Sequence, residues 1–355
     1  MKLLRILVLL SFVIQLHGQC IEDIEVEIWN ECYNIENTVS LQNPMENPSQ
    51  FPESICNLIN LEILDLDVMF GNSNYLTGQI PECIGDLENL TYLNLSWNEL
   101  SGQLTPNIGN LIKLNYLNVL SNQLTGEIPE SIGNLTQLTE LNLGFNNFTG
   151  YIPESIGNLT QLIELYFTSN QLTGDIPESI GNLFDLIMLS IYDNQISGEI
   201  PESIGNLVNL ISFNAGYNQI DGKIPGSIGN LINLEKLWLN YNNLSKVIPY
   251  TICNLEILNW SSGGFEGDDS YLNNNQLCPP YPDCIQENIG FQNTTECIEY
   301  MLGDINFDEN IDIIDILILV ELILDYQYYT SFDINFDESI NIIDILMVID
   351  IIFSQ

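Results

Sequence analysis

A repeat of 24 residues constrains the fold of this chain more than any other feature. Its clearest copy is residues 128–151, IPESIGNLTQLTELNLGFNNFTGY, and the step that begins it recurs at positions 80, 104, 128, 152, 176, 200, 224 and 248. A degenerate copy begins at Phe51 and Pro52, 29 residues before position 80, so it carries an insertion. Self-similarity at a fixed period of this length predicts a solenoid, in which each coil buries its apolar face against its neighbours.

The letters of one copy predict the shape of one coil. Apolar residues alternate between Leu138 and Leu143, which is typical of a half-buried strand that neighbouring coils stack into a parallel sheet. The asparagine after each strand is predicted to turn inward and to satisfy buried backbone groups with its amide. These asparagines are Asn98, Asn122, Asn146, Asn170, Asn194, Asn218 and Asn242. Glycines mark the next bend, and the proline that follows lacks an N–H, so the outer segment is predicted to be irregular or a short helix.

The consensus LxxLxLxxNxLxGxIPxxIGNL resembles leucine-rich repeats, in particular the plant-type subclass with its GxIPxxIGNL half. The resemblance covers residues 51–285, roughly two thirds of the chain. It implies an α/β solenoid, a stack of coils with a parallel sheet on the concave face. Residues 19–50 are predicted to form an N-terminal cap, in which residues 39–41 add a first irregular strand, because the apolar end of a solenoid needs shielding.

Charge and the first residues point to an extracellular protein. The 355 residues include 48 acidic and 6 basic ones, a formal net charge of −42, which excludes nucleic acid as a partner and disfavours anionic membranes. Residues 1–18 combine two basic residues, an apolar run and a final small residue, which predicts a secretory signal peptide. The alternative, a membrane anchor, is disfavoured because the apolar run is short. The only histidine, His17, lies within this segment, so the mature chain has no histidine for a Ser-His-Asp triad or a zinc site.

Eight cysteines in a secreted chain predict disulfides. Cys56 stands at the glycine of the IGNL segment and Cys83 at the serine of the PES segment in the next copy, and two further cysteines hold the same places at the other end. Each of these pairs is predicted to staple a terminal coil to its neighbour. The predicted pairs are Cys56–Cys83 and Cys253–Cys284, with Cys20–Cys32 and Cys278–Cys297 by elimination and proximity, and with Cys278–Cys284 open as a competitor.

A second duplicated motif near the C-terminus predicts a pair of calcium loops. Each loop has oxygen-bearing side chains at positions 1, 3, 5, 9 and 12 and offers a backbone carbonyl at position 7, a set that suits a hard cation. The two sets are Asp304, Asn306, Asp308, Asn310, Asp312 and Asp315, then Asp333, Asn335, Asp337, Ser339, Asn341 and Asp344. Each loop runs directly into an apolar helix, predicted at 316–324 and 345–353. Acidic residues interrupt both helices, so a transmembrane segment is rejected.

Tandem calcium loops with no helix before each loop resemble a type I dockerin, over residues 301–355, after a linker at 286–300. The resemblance implies a small all-α domain, bound Ca²⁺, a cohesin-like partner and a bacterial source. Two features depart from it. Glu309 and Glu338 stand where the loop usually has glycine, and isoleucine pairs at 313–314 and 342–343 stand where dockerins present polar residues to cohesin. Calcium binding therefore carries over, whereas cohesin docking carries over only in part.

Side chains between the strand leucines are predicted to lie on the strands of the concave face, where aromatic and polar groups suit a protein or polysaccharide ligand. The candidate ligand-binding residues are Tyr92, Trp97, Tyr116, Phe145, Glu164, Tyr166, Tyr192, Tyr217, Trp238 and Tyr241. The alternative is that these residues reflect β-propensity alone. A ladder of glutamates after the prolines is interpreted as a solvated edge in preference to a cation site. These are Glu82, Glu130, Glu154, Glu178 and Glu202.

These patterns lead to one functional hypothesis and two alternatives. The hypothesis is a secreted, non-catalytic bacterial protein whose solenoid binds a protein or glycan and whose calcium-dependent tail attaches it to a cell surface or a multiprotein assembly. The first alternative is a structural or adhesive surface protein whose tail only folds around calcium. The remote alternative, a polysaccharide hydrolase, would need a catalytic carboxylate pair, and no pair stands out from the repeat.

Overall fold

The structure, a computed structural model, describes residues 20–42, 49–68, 75–261, 269–295, 297, 311–324 and 340–354. The predicted signal peptide lies outside the described residues. The chain divides into two compact units, residues 1–173 and 174–355, which are described in turn. Among the described residues, no helix has the length and apolar character needed to cross a membrane.

The first unit begins with an antiparallel hairpin, Glu25–Ile28 with Glu31–Asn34, that the sequence analysis did not predict. Trp29 and Asn30 form its two-residue turn with left-handed φ values of 49° and 66°, the kind of turn that follows the right-handed twist of a hairpin. Ile28 is fully buried. The cap therefore shields the end of the stack with a hairpin, and its predicted strand follows at Ser40–Gln42.

Parallel three-residue strands, one per coil, form the concave sheet of the first unit. They are Ser40–Gln42, Ile63–Asp65, Tyr92–Asn94, Tyr116–Asn118, Glu140–Asn142 and Glu164–Tyr166. Leu141 lies opposite Leu117 on one side and Leu165 on the other, and all three are fully buried. Alternation then sends the residues on either side of each leucine to the opposite face, away from the core. The predicted parallel sheet is confirmed.

The first unit also has a second parallel sheet, in a region where the sequence pattern predicted only a bend. Its strands are Ser49–Gln50, Leu76–Gln79, Glu99–Gln103, Gln123–Glu127 and Asn147–Thr149. Gly126 lies within one of them at φ 80°, and a Cβ there would come within 2.8 Å of the Gln103 side chain on the preceding coil. Glycine is thus required both because the φ value is positive and because a Cβ has no room there. The strand continues through it.

Each coil makes a five-residue 3₁₀-helix that begins at or directly after its proline, which confirms the predicted short outer helix. The first unit has Glu53–Asn57, Glu82–Asp86, Pro106–Asn110, Glu130–Asn134 and Glu154–Asn158. The second has Glu178–Asn182, Glu202–Asn206, Gly226–Asn230 and Tyr250–Asn254. A Cβ on Gly133 would lie 2.5 Å from the Cβ of Ser155 in the next coil. The coils therefore approach too closely at the IGN glycine to leave room for a side chain.

A ladder of asparagine amides holds the turn after each concave strand. Asn146 is 8% exposed, and its Nδ2 donates to the carbonyls of Val119 (2.9 Å), Leu143 (3.2 Å) and Gly144 (3.0 Å). Its Oδ1 accepts from the N–H of Leu124 at 3.0 Å. The predicted role is confirmed, because one side chain satisfies four backbone groups. Asparagines that donate to backbone carbonyls in the same way are Asn98, Asn122, Asn170, Asn194, Asn218, Asn242 and Asn275.

The second unit continues the same architecture. Its concave strands are Met188–Ser190, Ser212–Asn214 and Lys236–Trp238, and its outer strands include Gln195–Ile196 and the parallel pair Ser245–Val247 and Gln276–Cys278. A further two-residue strand, Thr173–Gly174, lies where the two units meet in sequence.

Beyond the last coil, Gln292 behaves like one more member of the ladder. Its Nε2 donates to the carbonyls of Leu272 (2.9 Å) and Ile289 (3.1 Å), and its Oε1 accepts from the N–H of Leu277 at 3.3 Å. Residues 286–295, assigned to a linker from sequence, therefore include chain that is bonded to the end of the stack. The exact domain boundaries remain predictions.

Four disulfides are present, and they are the four predicted pairs: Cys20–Cys32, Cys56–Cys83, Cys253–Cys284 and Cys278–Cys297. The competing pair Cys278–Cys284 is not formed. Because Cys56 and Cys83 stand at the glycine and serine sites that touch between coils, a covalent bond replaces the close contact seen at Gly133 and Ser155. The terminal coils are thus cross-linked where they have only one neighbour.

The described part of the tail consists of two helices, α1 (Ile313–Leu324) and α2 (Ile342–Ser354). Both begin three residues before their predicted starts. Their core contains Ile311, Leu319 and Val348, and Tyr250 of the last coil packs against this core. Tyr250 holds the place at which six other coils have glutamate, so an aromatic replaces a charge where the tail meets the solenoid.

Candidate functional site

Two tyrosines stack on adjacent concave strands of the first unit. Tyr92 and Tyr116 lie opposite one another in the sheet, and their rings are 4.3 Å apart between centroids and inclined by 7°. Burial is the main cause that raises the pKa of both hydroxyls. Asn118 Nδ2 also donates to the Tyr116 hydroxyl at 3.0 Å. The rings therefore form a fixed, partly buried platform with their hydroxyls protonated at neutral pH.

Carboxylates follow the platform on the next two strands. Glu140 and Glu164 lie opposite one another, and the Tyr166 hydroxyl donates to Glu164 Oε2 at 2.8 Å. Burial, followed by repulsion from Glu164, raises the pKa of Glu140, although a hydrogen bond with Tyr116 opposes the shift. Burial together with Glu164 also raises the pKa of Tyr166. Like charges therefore lie side by side on this part of the face and repel one another.

The first coil adds two acids that the sequence analysis missed. Burial, followed by the charge of Asp65, raises the pKa of Asp67. Asp65 Oδ1 is buried and has no hydrogen-bond partner within the described chain. The degenerate repeat hid these residues, because the insertion that follows Asp67 obscures its alignment with the other coils.

In the second unit, a second group of tyrosines packs ring to ring. Tyr192 meets Tyr217 edge-on at 5.3 Å, and Tyr217 stacks on Tyr241 at 4.3 Å with an inclination of 23°. Burial, then a hydrogen bond with Tyr241, raises the pKa of Tyr217 to about 12. Near them, Trp238 Nε1 donates to the Asp269 carbonyl at 2.7 Å, and Lys236 Nζ lies 6.0 Å from the centre of the Trp238 ring.

Half of the predicted ligand-binding residues lie elsewhere than predicted. Those on strands are Tyr92, Tyr116, Glu164, Tyr166 and Trp238, whereas Trp97, Phe145, Tyr192, Tyr217 and Tyr241 follow the strands. Placement of this second set on the strands was wrong. Four of these residues adopt left-handed backbone, with φ between 52° and 58°, because the chain turns sharply there to bring the next residue, the ladder asparagine, inward. Their role in binding stays a prediction.

The described calcium-loop residues form a reciprocal cap at the start of each helix. Ile314 N–H donates to Asp312 Oδ1 and Asp312 N–H donates to Asp315 Oδ2, both at 2.7 Å. Asn341 and Asp344 repeat the pattern at 2.8 Å. This is the geometry of a capping box, and it explains why both helices begin earlier than predicted. The remaining predicted ligands lie outside the described residues, namely Asp304, Asn306, Asp308, Asn310, Asp333, Asn335, Asp337 and Ser339.

The capping residues fit a bound cation. Asp315 and Asp344 are each 0% exposed; the backbone N–H groups of Asp312 and Asn341 donate to their carboxylates, and a nearby positive charge would stabilise them further in this buried setting. The chain has no lysine or arginine after Lys246, so the tail contains no basic side chain to supply that charge. Oxygen ligands of this kind match the chemistry of Ca²⁺, but the described residues alone bring together no group of three or more acidic, histidine or cysteine side chains that could hold the ion, so a site would need the predicted ligands outside them.

The glutamate ladder lies on the outer edge, where Glu82, Glu130, Glu154, Glu178 and Glu202 are all exposed. Glu202 Oε1 lies 3.8 Å from Lys223 Nζ, and both side chains are more than half exposed. Exposed pairs of this kind contribute little to stability. These features support the interpretation of a solvated edge.

Comparison with known proteins agrees with this architecture. The Leucine Rich Repeat family model matches residues 89–111, 113–135, 137–159, 161–183, 185–207, 209–231 and 233–266. The Dockerin type I domain model matches residues 302–352. The chain therefore contains leucine-rich repeats in a solenoid followed by a dockerin-type segment, and neither family model is that of an enzyme. No curated protein matches the chain significantly.

Among solved structures, the chain is similar to two plant receptor ectodomains. The leucine-rich-repeat ectodomain of the Arabidopsis thaliana receptor kinase GASSHO1/SCHENGEN3, in complex with CASPARIAN STRIP INTEGRITY FACTOR 2, is 33% identical with a TM-score of 0.60 over 69% of this chain. The Arabidopsis receptor kinase HAESA, in complex with the peptide hormone IDA, is 32% identical with a TM-score of 0.61 over 69% of this chain. The chain spans only 28% and 39% of those two proteins.

A plant ice-binding protein is also similar, at 25% identity and a TM-score of 0.53, with 75% of this chain and 78% of the other covered. The solenoid fold is thus shared by proteins that bind very different ligands, so the fold alone does not identify what this chain binds.

Proposed function

We propose that this chain is a secreted, non-catalytic bacterial binding protein. In this proposal the solenoid binds a protein or glycan on its concave face, and the tail attaches the protein, with Ca²⁺, to a cell surface or a multiprotein assembly. The observation that carries the proposal is the packing of tyrosine rings on one another in each unit, with every ring at least partly exposed.

Accessible aromatic groups favour a binding role over β-propensity alone. Phe145 is 56% exposed and Tyr241 is 39% exposed, and aromatic area of this kind is a liability for solubility unless a partner covers it. Tyrosines that are already packed lose little conformational freedom on binding, which suits them to anchor an interface. The two plant receptors described above were solved with their ligands bound, which supports a protein or peptide ligand for a solenoid of this kind.

Replacing Tyr192 and Tyr217 together with alanine is expected to weaken ligand binding by about 1–3 kcal/mol, because the variant removes two of three mutually packed rings. A pull-down from the native extracellular medium, with calcium present, would supply the ligand, and calorimetry would then measure its affinity. The matched control replaces Glu154 and Glu178, two exposed residues of the outer edge, with alanine. If only this control loses affinity, the binding site lies on the outer edge and the proposal for the concave face is wrong.

The tail presents two matching apolar patches for its own partner. Patch one is Ile313, Ile314 and Leu317, exposed by 63%, 47% and 59%, and its counterpart on α2 is Ile342, Ile343 and Leu346, exposed by 68%, 49% and 56%. Each patch begins at a capped helix start, directly after a predicted calcium loop in the sequence. The isoleucines that replace the polar residues of dockerins therefore remain available, and they indicate a cohesin-like partner with an apolar contact surface.

Changing Ile313, Ile314, Ile342 and Ile343 to aspartate is expected to abolish retention of the protein on its native surface while the calcium-induced helicity of the tail is kept. Burying an unpaired charge in an apolar contact is strongly unfavourable, and the four side chains are exposed in the free tail. Surface retention in calcium can be followed by sedimentation with cells or cell-wall fragments. Phe353→Ser serves as the control, because Phe353 is 86% exposed and lies outside both patches. If this control reduces retention equally, the two patches are not the surface that contacts the partner.

A further inference from the structure

The concave face of the first unit carries a group of residues that the proposed function does not yet explain. They are three tyrosines and four acids that lie on the concave strands or within two residues of them. We call this group the tyrosine–carboxylate strip, and it consists of Asp65, Asp67, Tyr92, Tyr116, Glu140, Glu164 and Tyr166.

The negative charge of the strip is not neutralised by nearby bases. Glu140 and Glu164 are partners on adjacent strands, and strands are spaced by about 4.8 Å, so their repulsion is direct. Lys113 is the only lysine or arginine between residues 20 and 173, and its Nζ donates to Asn89 Oδ1 at 2.8 Å. Neither Lys113 nor Asn89 belongs to a concave strand.

The environment of the acids reinforces this conclusion. Burial and a neighbouring carboxylate raise the pKa of both Glu140 and Asp67, which means that their charged forms are held at a cost in free energy. In addition, Asp65 Oδ1 is buried without a hydrogen-bond partner within the described chain. A cationic group placed on the strip would reduce the repulsion among these carboxylates, whereas a neutral glycan would relieve none of it.

We infer that the strip binds an extended polypeptide segment bearing lysine or arginine, as part of the protein ligand in the proposed function. Tyrosine faces and carboxylates together form the environment that attracts guanidinium and ammonium groups, through cation–π contact and charge-assisted hydrogen bonds. The inference rests on the proposed function and restricts its ligand to a protein with a basic segment.

The spacing of the strip defines the spacing of the basic residues. Three strand intervals separate the strand of Asp65 from the strand of Glu140, which corresponds to about 14 Å. An extended chain rises about 3.3 Å per residue, so two basic residues about four positions apart would reach both acidic ends. The stacked rings of Tyr92 and Tyr116 lie on the two strands between those ends.

The test uses the full chain in calcium and fluorescently labelled synthetic peptides of glycine, serine and threonine. One peptide carries two arginines four positions apart, a second carries two adjacent arginines, and two more replace the arginines with aspartate or glutamine. Fluorescence anisotropy measures their affinities for the wild type, for E140Q/E164Q and for E130Q/E154Q. The last variant removes the same charge from exposed residues of the outer edge.

The four-spaced arginine peptide is expected to bind most tightly, and E140Q/E164Q is expected to reduce its affinity about tenfold while E130Q/E154Q leaves it within about twofold. Binding should also weaken as the pH falls, because Glu140 takes up a proton at a higher pH than an ordinary glutamate. Equal losses in the two double variants would show attraction by net charge alone and would overturn the inference. Failure of the wild type to prefer arginine peptides over glutamine peptides would overturn it as well.

The experiments distinguish failure of this inference from failure of the proposed function. If the native ligand loses affinity in the Tyr192/Tyr217 variant and keeps it in E140Q/E164Q, the packed tyrosines of the second unit bind the ligand and the inference about basic residues is wrong. If E140Q/E164Q lowers the affinity for the arginine peptide while no ligand from the native medium depends on Tyr192 and Tyr217, the inference about the strip is supported and the proposed aromatic site is wrong. Circular dichroism of each variant verifies that the solenoid is folded.

Discussion

Replacing Asn146 with alanine is expected to destabilise the solenoid by about 2–5 kcal/mol, far more than a typical polar substitution. The variant would leave the N–H of Leu124 and the carbonyls of Val119, Leu143 and Gly144 without their side-chain partner. These groups lie around a residue that is 8% exposed, so water has little access to replace the amide. Each unsatisfied buried group costs about 1–3 kcal/mol, and partial relaxation of the turn offsets some of the sum.

The neighbouring asparagine supplies the control. Asn147 is exposed, and its Oδ1 accepts only a long bond of 3.3 Å from Gln171, so Asn147→Ala is expected to change stability by less than about 0.5 kcal/mol. Urea unfolding of the full chain in calcium measures both variants, and hydrogen exchange at the Leu124 amide tests the mechanism directly. Similar unfolding midpoints for the two variants would contradict the assignment of the ladder.

Features that repeat in every coil were the most predictable from sequence. The asparagine ladder, the left-handed glycines and the outer helices all follow from local chemistry that acts identically in each copy, so eight aligned copies expose the rule. The disulfide Cys56–Cys83 was predictable for the same reason. Its two cysteines stand at positions that the repeat shows to touch, a contact seen in the structure between Gly133 and Ser155.

Features outside the repeat were less predictable. The N-terminal hairpin has Trp29 and Asn30 in its turn, and Trp-Asn is not a typical turn sequence, so the pattern gave no signal there. The second sheet was missed because its strands are short and polar on their outer side, and three of the five contain a glycine, which usually weakens a strand. Its stability comes from pairing between coils, a property that one copy does not reveal.

Positions within the candidate site show the same limit. Alternation predicted that Tyr92 and Tyr116 lie on the concave strands, and they do. It failed at Tyr217 and Tyr241, because the strands are only three residues long and the backbone turns left-handed before the ladder asparagine. Asp65 and Asp67 were missed because the signal that makes them functional candidates, a raised pKa and an orphaned oxygen, depends on burial.

The solenoid and the tail differ in where they place their acidic residues. In the solenoid, the glutamates of the outer edge are exposed and their repulsion is screened by water and salt. In the tail, Asp315 and Asp344 are fully buried at the starts of α1 and α2, where screening is poor. The solenoid is therefore expected to fold without a specific counterion, whereas the tail is expected to need a cation.

Removal of calcium is expected to unfold the tail and to leave the solenoid folded. Residues 301–355 contain twelve acidic and no basic side chains, so no basic side chain of the tail balances the charge that the carboxylates of Asp315 and Asp344 bring into a buried site. At free calcium about a thousandfold above the dissociation constant, binding contributes about 4 kcal/mol to the stability of the tail, which exceeds what two short helices with a small shared core retain alone.

Hydrogen exchange of the full chain, measured in calcium and again with chelator, separates the two parts of the molecule. Protection across α1 and α2 is expected to vanish with chelator, while protection of the concave strands, such as Glu140–Asn142, stays unchanged. Asp315→Asn with Asp344→Asn should reproduce the effect of chelator in the presence of calcium, because the amides keep the capping geometry but lose the charge that attracts the ion. Glu287→Asn, the same loss of charge at an exposed site before the tail, should leave protection intact. Helices that stay protected in chelator would show that the tail folds without a cation, and its two loops would then have some other role.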